Sequence, residues 1–389
     1  MEEKMKYLSI IMLGCGLVLC SCDIFTPEYD VVWKLKADEH LDTSPAIADD
    51  GTIYICSHSY LYAIDPQGKI KWEYDTEDQA ITSPAICSDG TIYFTSAYLH
   101  AVNPGGSSKW RTEVNGGTWY GCPAIGPDGT IYCNGTQRIY AVGNDGEIKW
   151  EFENASDPVV GSDGTIYVEL YDSGGYALAA LNVEGELLWS YPVGHQREGE
   201  PAIDSDGTVY FGTHAYDDGE EGGDTASFYA IAADGNLKWE YRMRGGFLGA
   251  PAIGPDGIIY VGASQVYERG VEHSIDTSFF IAFTPDGEIE WKQPYDFYWI
   301  STPAIGSDGV VYFASQFDGF YAINPDGSEQ WYNKNYGSNF SSPAIGSDGI
   351  IYFVSGGKLF ALKGSSDGLA SSPWPRYHHD NQNTGRAGG

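Results

Sequence analysis

Eight times between Ser44 and Tyr352 the chain repeats one phrase: Pro-Ala-Ile or a close variant, an Asp-Gly turn, then a run ending in Tyr. The first copy is SPAIADDGTIY from Ser44 and the last is SPAIGSDGIIY from Ser342. Each phrase holds two short apolar runs around a turn. Pro127-Asp128-Gly129 suits a type I turn whose glycine takes a positive φ. A second hairpin follows in each unit, as in LYAIDPQGKIKWEY from Leu61 to Tyr74. A period of about 40 residues built from two hairpins predicts four-stranded antiparallel blades, A to D, arranged radially. The repeat therefore outweighs the two or three domains that length alone suggests.

The second hairpin has fixed internal spacing. Trp72, Trp110, Trp150, Trp189, Trp239, Trp291 and Trp331 each follow an Ala by nine residues and a Gly by four. A large ring lies flat against a neighbouring blade only where small residues leave room, so these tryptophans are expected to be structural docking residues. The pattern resembles the tryptophan-docking repeat of the PQQ-like β-propeller family, across about Val31 to Lys363. The chain ends set the blade number. The eighth unit stops after Leu359-Phe360-Ala361-Leu362 without its Trp strand, while Val31-Val32-Trp33-Lys34-Leu35 precedes the first unit without a partner. The expectation is an all-β, eight-bladed propeller, with Trp33 as the eighth docking residue. The N-terminal strand completes the last blade and removes two open edges. The expected organisation is a signal peptide over 1–21, a tether over 22–30, the propeller over 31–363 and a capping tail over 364–389.

The N-terminus reads as an export signal. Lys4 and Lys6 flank a mainly apolar run, Tyr7 to Leu19, that is too short to span a bilayer. The run ends in Leu19-Cys20-Ser21-Cys22, which resembles the bacterial lipobox and makes Cys22 the expected lipidated residue; an unlipidated secretory signal is the alternative. The expected location is the cell envelope, lipid-anchored at the outer membrane on its periplasmic or surface side. Contact with the membrane is expected through the lipid only. Against 21 Lys and Arg stand 54 Asp and Glu, a net charge of −33, which excludes nucleic acid and anionic lipid surfaces as partners. Cys56, Cys87, Cys122 and Cys133 show no metal-binding spacing and read as free thiols, and no metal site is assigned.

Length variation is confined to the B–C and D–A connections, which share one face in a propeller. Variable loops on a rigid scaffold are where binding usually resides. The D–A connections carry Trp119, Tyr120, Arg197, Arg242, Arg244, Tyr298, Trp299 and Tyr336, read as candidate ligand-binding residues ringing the channel. Aromatics with arginines suit a protein surface, a glycan or an anionic ligand. The acidic stretch Asp217 to Asp224 has the charge for Ca²⁺, but its spacing does not match an EF-hand loop.

The architecture is similar to the propeller lipoprotein of the outer-membrane β-barrel assembly machinery, which implies a non-catalytic, monomeric scaffold with an envelope protein as partner. A surface glycan binder is the alternative. The resemblance also raises a PQQ-dependent dehydrogenase. Those enzymes set an adjacent Cys-Cys pair against the cofactor, and no such pair occurs here, so PQQ is not expected.

Overall fold

The computed structural model describes residues 31–37, 41, 43–78, 82–114, 121–172, 175–193, 197–215, 225–244, 246–266, 275–295, 300–315, 319–334, 336 and 341–388. Every regular element among them is a β-strand. The strands fall into eight four-stranded antiparallel units in sequence order. Units 5 and 6 share one sheet because a short extra strand, Gly246–Leu248, pairs with the B strands of both. Unit 8 is completed from the other chain end. Val31–Leu35 pairs antiparallel with Lys358–Lys363, Trp33 opposite Ala361.

The repeated phrase places the same side chains in the same roles in every blade. The Tyr that ends each phrase is buried, and its ring lies 5.7–6.2 Å from that blade's tryptophan ring. Trp33 takes this place beside Tyr352. The conserved spacing resolves into two contacts. The Ala nine residues before each Trp sits directly across the strand pair from it, as Ala63 does from Trp72. The Gly four residues before belongs to a different contact, because it receives the tryptophan of the preceding blade. A Cβ on Gly185 would stand 2.7 Å from Cδ2 of Trp150, and Gly185 has a φ of +82°. Seven of the eight indoles, Trp33 to Trp291, then donate their N–H to a carbonyl at the next blade's C–D turn, as Trp33 does to Pro66 at 2.8 Å and Trp291 to Pro325 at 2.8 Å.

Apolar clusters between successive blades close the circle. One joins blades 8 and 1 through Tyr352, Leu359, Ile53 and Tyr62, and another joins blades 7 and 8 through Tyr312, Trp331 and Phe353. Each blade presents its outer D strand with one edge unpaired among the described strands.

The tail lies at the A–B turn end of the ring and also reaches into its axis. It enters from the A–B turn side and fills the channel, because the inner strands leave backbone N–H groups that need partners there. Those of Ile47, Ile86, Ile125 and Val160 donate to the carbonyls of Asn381, Gln382, Thr384 and Gly385, and those of Ile253 and Ile305 to Trp374 and Pro375. The side chain of Asn381 donates to the carbonyl of Ile345 in blade 8 at 2.7 Å, and His378 pairs with Glu200 in blade 5. All eight blades are thus tied to one segment. Cys56, Cys122 and Cys133 are buried free thiols, and Cys87 is partly exposed.

Candidate functional site: the channel mouth and its floor

One position in the repeat faces the axis where the inner strands begin. It is the residue before the proline: Ser44, Ser83, Cys122, Asp157, Glu200, Ala250, Thr302 and Ser342 in blades 1 to 8. Part of this ring is self-paired, since the Ser44 amide donates to Ser83 Oγ at 3.0 Å and the Ser342 amide to Ser44 Oγ at 3.1 Å. Blades 3 to 5 differ in carrying a thiol and two carboxylates.

The tip of the tail, Arg376 to His379, rises to this ring. Arg376 is fully buried and holds the axis with four acceptors: the carbonyls of Pro343, Asp380 and Pro45 at 3.0, 2.6 and 3.3 Å, and Asn383 Oδ1 at 2.6 Å. Burial pulls its guanidinium down to about 10, against the opposing pull of Asp380. The chain reverses at the tip through two left-handed residues, His378 with φ 51° and His379 with φ 72°. Such conformations for bulky residues persist only where surrounding contacts enforce them. Here His378 Nε2 meets Glu200 Oε1 at 2.9 Å with the histidine 1% exposed. Burial opposes a charged imidazole, but Cys122 and Glu200 beside it outweigh burial and raise its pKa well above the ordinary histidine value. The other oxygen of Glu200, Oε2, is buried without a hydrogen-bond partner. Burial pushes the Cys122 thiol up, and its Sγ lies 3.8 Å from the Asn383 carbonyl.

The tail tip and the pre-proline ring together form a floor across the axis. Asp157 belongs to this floor in a left-handed conformation of φ 51°, held by Asn134: its amide donates to Asn134 Oδ1 at 2.8 Å and its Oδ1 accepts from Asn134 Nδ2 at 2.7 Å. The sequence reading missed the floor. Its only sequence signal was the departure from Ser at one repeat position, together with the His-His-Asp of the tail.

Of the candidate ligand-binding residues, Trp119, Tyr120, Tyr298 and Trp299 lie outside the described residues, as do Cys22 and the acidic stretch Asp217 to Asp224. The three arginines lie on strands and not on loops. Arg197 begins the inner strand of blade 5, Arg197–Ile203, while Arg242 and Arg244 end its outer strand, Leu237–Arg244. Arg197 pairs with Thr213 and Arg242 with Ser227, so they stand at opposite edges of one sheet, about three strand spacings or ~14 Å apart. The reason is that blade 5 extends its strands into what the repeat marks as connection. Arg242 is answered on its own strand by Glu240 at 2.9 Å. Tyr336 is 4% exposed and packs edge-on against Phe353 and Phe360 as part of the blade 7–8 core. Among the described residues, no group of three or more His, Cys, Asp or Glu is arranged to hold a metal ion.

Comparison with known proteins agrees with the architecture. The family described as outer membrane protein assembly factor BamB matches residues 95–221. Among solved structures, BamB from Moraxella catarrhalis superposes with a TM-score of 0.67 at 14% identity, over 86% of this chain and 99% of that one. The computationally designed Ika8 protein gives 0.63 at 11% identity, over 86% and 99%. The Dos1 propeller gives 0.62 at 8%, over 87% and 96%. No curated protein matches the chain by sequence. In fold the chain is a β-propeller similar to BamB, and its residues 95–221 resemble the BamB family.

Proposed function

We propose that the protein is a non-catalytic scaffold of the bacterial cell envelope. In this reading it is held to the membrane by acylated Cys22 and binds a protein partner at the loop-side mouth. The observation that carries the reading is the plug. The channel is filled from the turn side by the chain's own tail, with Trp374, Arg376 and Asn383 buried in it. A rigid ring filled in this way presents its variable connections at one end only. The likeness to an outer membrane protein assembly factor supports an envelope location and protein partners in a general sense. PQQ fits poorly: the chain has no adjacent cysteine pair, and Arg376 and His378 occupy the axis at the level of the pre-proline ring. The aromatic set Trp119, Tyr120, Tyr298 and Trp299 favours glycan as a second reading.

Photo-crosslinking in intact membranes tests the proposal. A crosslinkable residue at Trp119 or Trp299 is expected to give the same protein adduct, and one at Asp89 on the turn face is expected to give none. Cys22→Ser is expected to move the protein from the membrane to the soluble fraction. The scaffold reading fails if neither loop position yields a protein adduct while a glycan array gives a signal that Trp299→Ala removes. Dye reduction after loading with PQQ and Ca²⁺ would likewise overturn it.

A further inference from the structure

The eight outer strands share one vulnerability, an unpaired edge facing solvent. Proteins blunt such edges with charge, most often lysine. Seven of the eight do so here. Lys71, Lys109, Lys149 and Lys238 precede the docking tryptophans of blades 1, 2, 3 and 5, and each reaches the Thr of its own A–B turn at 2.5–2.9 Å. The outer strands of blades 6, 7 and 8 carry Glu290 and Lys292, Glu329, and Lys34. Blade 4 departs from the rule. Its outer strand, Leu187–Pro192, reads LLWSYP and holds no charged residue. Leu188 stands where four other blades have lysine. Leu187 and Leu188 are 50% and 54% exposed, and Val183 at the adjoining turn is 46% exposed. The strand pairs with Gly175–Leu181 on one side and, among the described residues, with no other strand.

We propose that the blade 4 edge is a docking edge for an extended strand of a partner protein. The strand it fits has apolar side chains at alternate positions and Lys or Arg at the end meeting Glu184 and Glu186. The backbone supplies the affinity, through the ladder of N–H and C=O groups that an added strand completes. Charge supplies the selection. Exposed Glu184 and Glu186 flank the apolar stretch at the C–D turn, so they favour a basic terminus and repel an acidic one. The same argument disfavours a second copy of this chain, since two molecules of net charge −33 repel. Val31 enters the ring in blade 8, four blades from blade 4 in either direction, so a membrane tether there leaves this edge on the far rim.

Hydrogen exchange on the full chain in detergent micelles, with two defined peptides, tests the proposal. One peptide is two lysines followed by alternating threonine and valine, and the other replaces the lysines with glutamates. The lysine peptide is expected to slow exchange of the Leu187–Tyr191 amides by about fivefold or more, and the glutamate peptide much less. Leu188→Lys and, separately, Ser190→Lys change exposed side chains and are expected to abolish the protection while leaving the thermal midpoint unchanged. Three results would overturn the proposal: no protection at 187–191, equal protection of the outer strands Ile148–Glu153 and Leu237–Arg244, or a dimer of the chain that forms through this edge without peptide.

Discussion

At the residue scale, the buried pair of His378 and Glu200 couples the fold to pH. The groups facing the imidazole are Glu200 and Cys122, with Arg376 nearby on the same tail. Because the folded protein holds the His378 proton more tightly than the unfolded chain, the pair's stabilisation is complete below an ordinary histidine pKa of 6.5 and is lost as pH rises through the higher folded value. The wild type is therefore expected to lose thermal stability between pH 6 and pH 9, and His378→Gln to lose distinctly less. Melting curves across that range decide it, and parallel curves for the two proteins would remove His378 from the account. None of this was readable from the tail's His-His-Asp, because the partner carboxylate lies in blade 5 and only the fold joins them.

At the element scale, the docking contact separates two demands that the spacing shows as one. Gly185 and Gly129 both sit in turns with φ near +80°, so alanine at either is strained by about 1–2 kcal/mol. Only Gly185 faces a ring, with Trp150 Cδ2 2.7 Å from its would-be Cβ, while Gly129 has nothing within 4 Å. Gly185→Ala is expected to cost about 1–3 kcal/mol more than Gly129→Ala, since overpacking adds to backbone strain. Urea unfolding of both variants checks this, and equal losses would show that the glycine serves the turn alone. The sequence made the Trp, Ala and Gly positions legible as a set. It left open which blade each glycine serves, since a spacing of four residues along a hairpin and a contact across two blades look alike in one dimension. The arginines, read as connection residues, are strand residues for a similar reason. The repeat puts Arg197 and Arg242 on connections ringing the channel, but they belong to the inner and outer strands, the opposite edges of blade 5.

At the scale of the whole molecule, the ring is closed twice, at its rim by Val31–Leu35 and on its axis by the tail. Deleting residues 364–389 strips partners from six inner-strand amides and removes fully buried Trp374. Losing a buried tryptophan costs about 3–5 kcal/mol on its own. The truncated protein is expected to keep its β-sheet circular dichroism but melt at least ~5 °C lower. An unchanged midpoint would mean that the tail is an appendage to a self-sufficient ring. The repeat determined the number of blades, the strand roles and the closing partner of Trp33, because these follow from local periodicity and from counting unpaired ends. Tertiary structure alone decided that the tail fills the channel, that Cys122, Glu200 and His378 meet, and that blade 4 carries the one uncharged edge on the rim opposite the N-terminal strand. Each of these joins residues distant in sequence, and their proximity follows only once the repeats have closed into a ring.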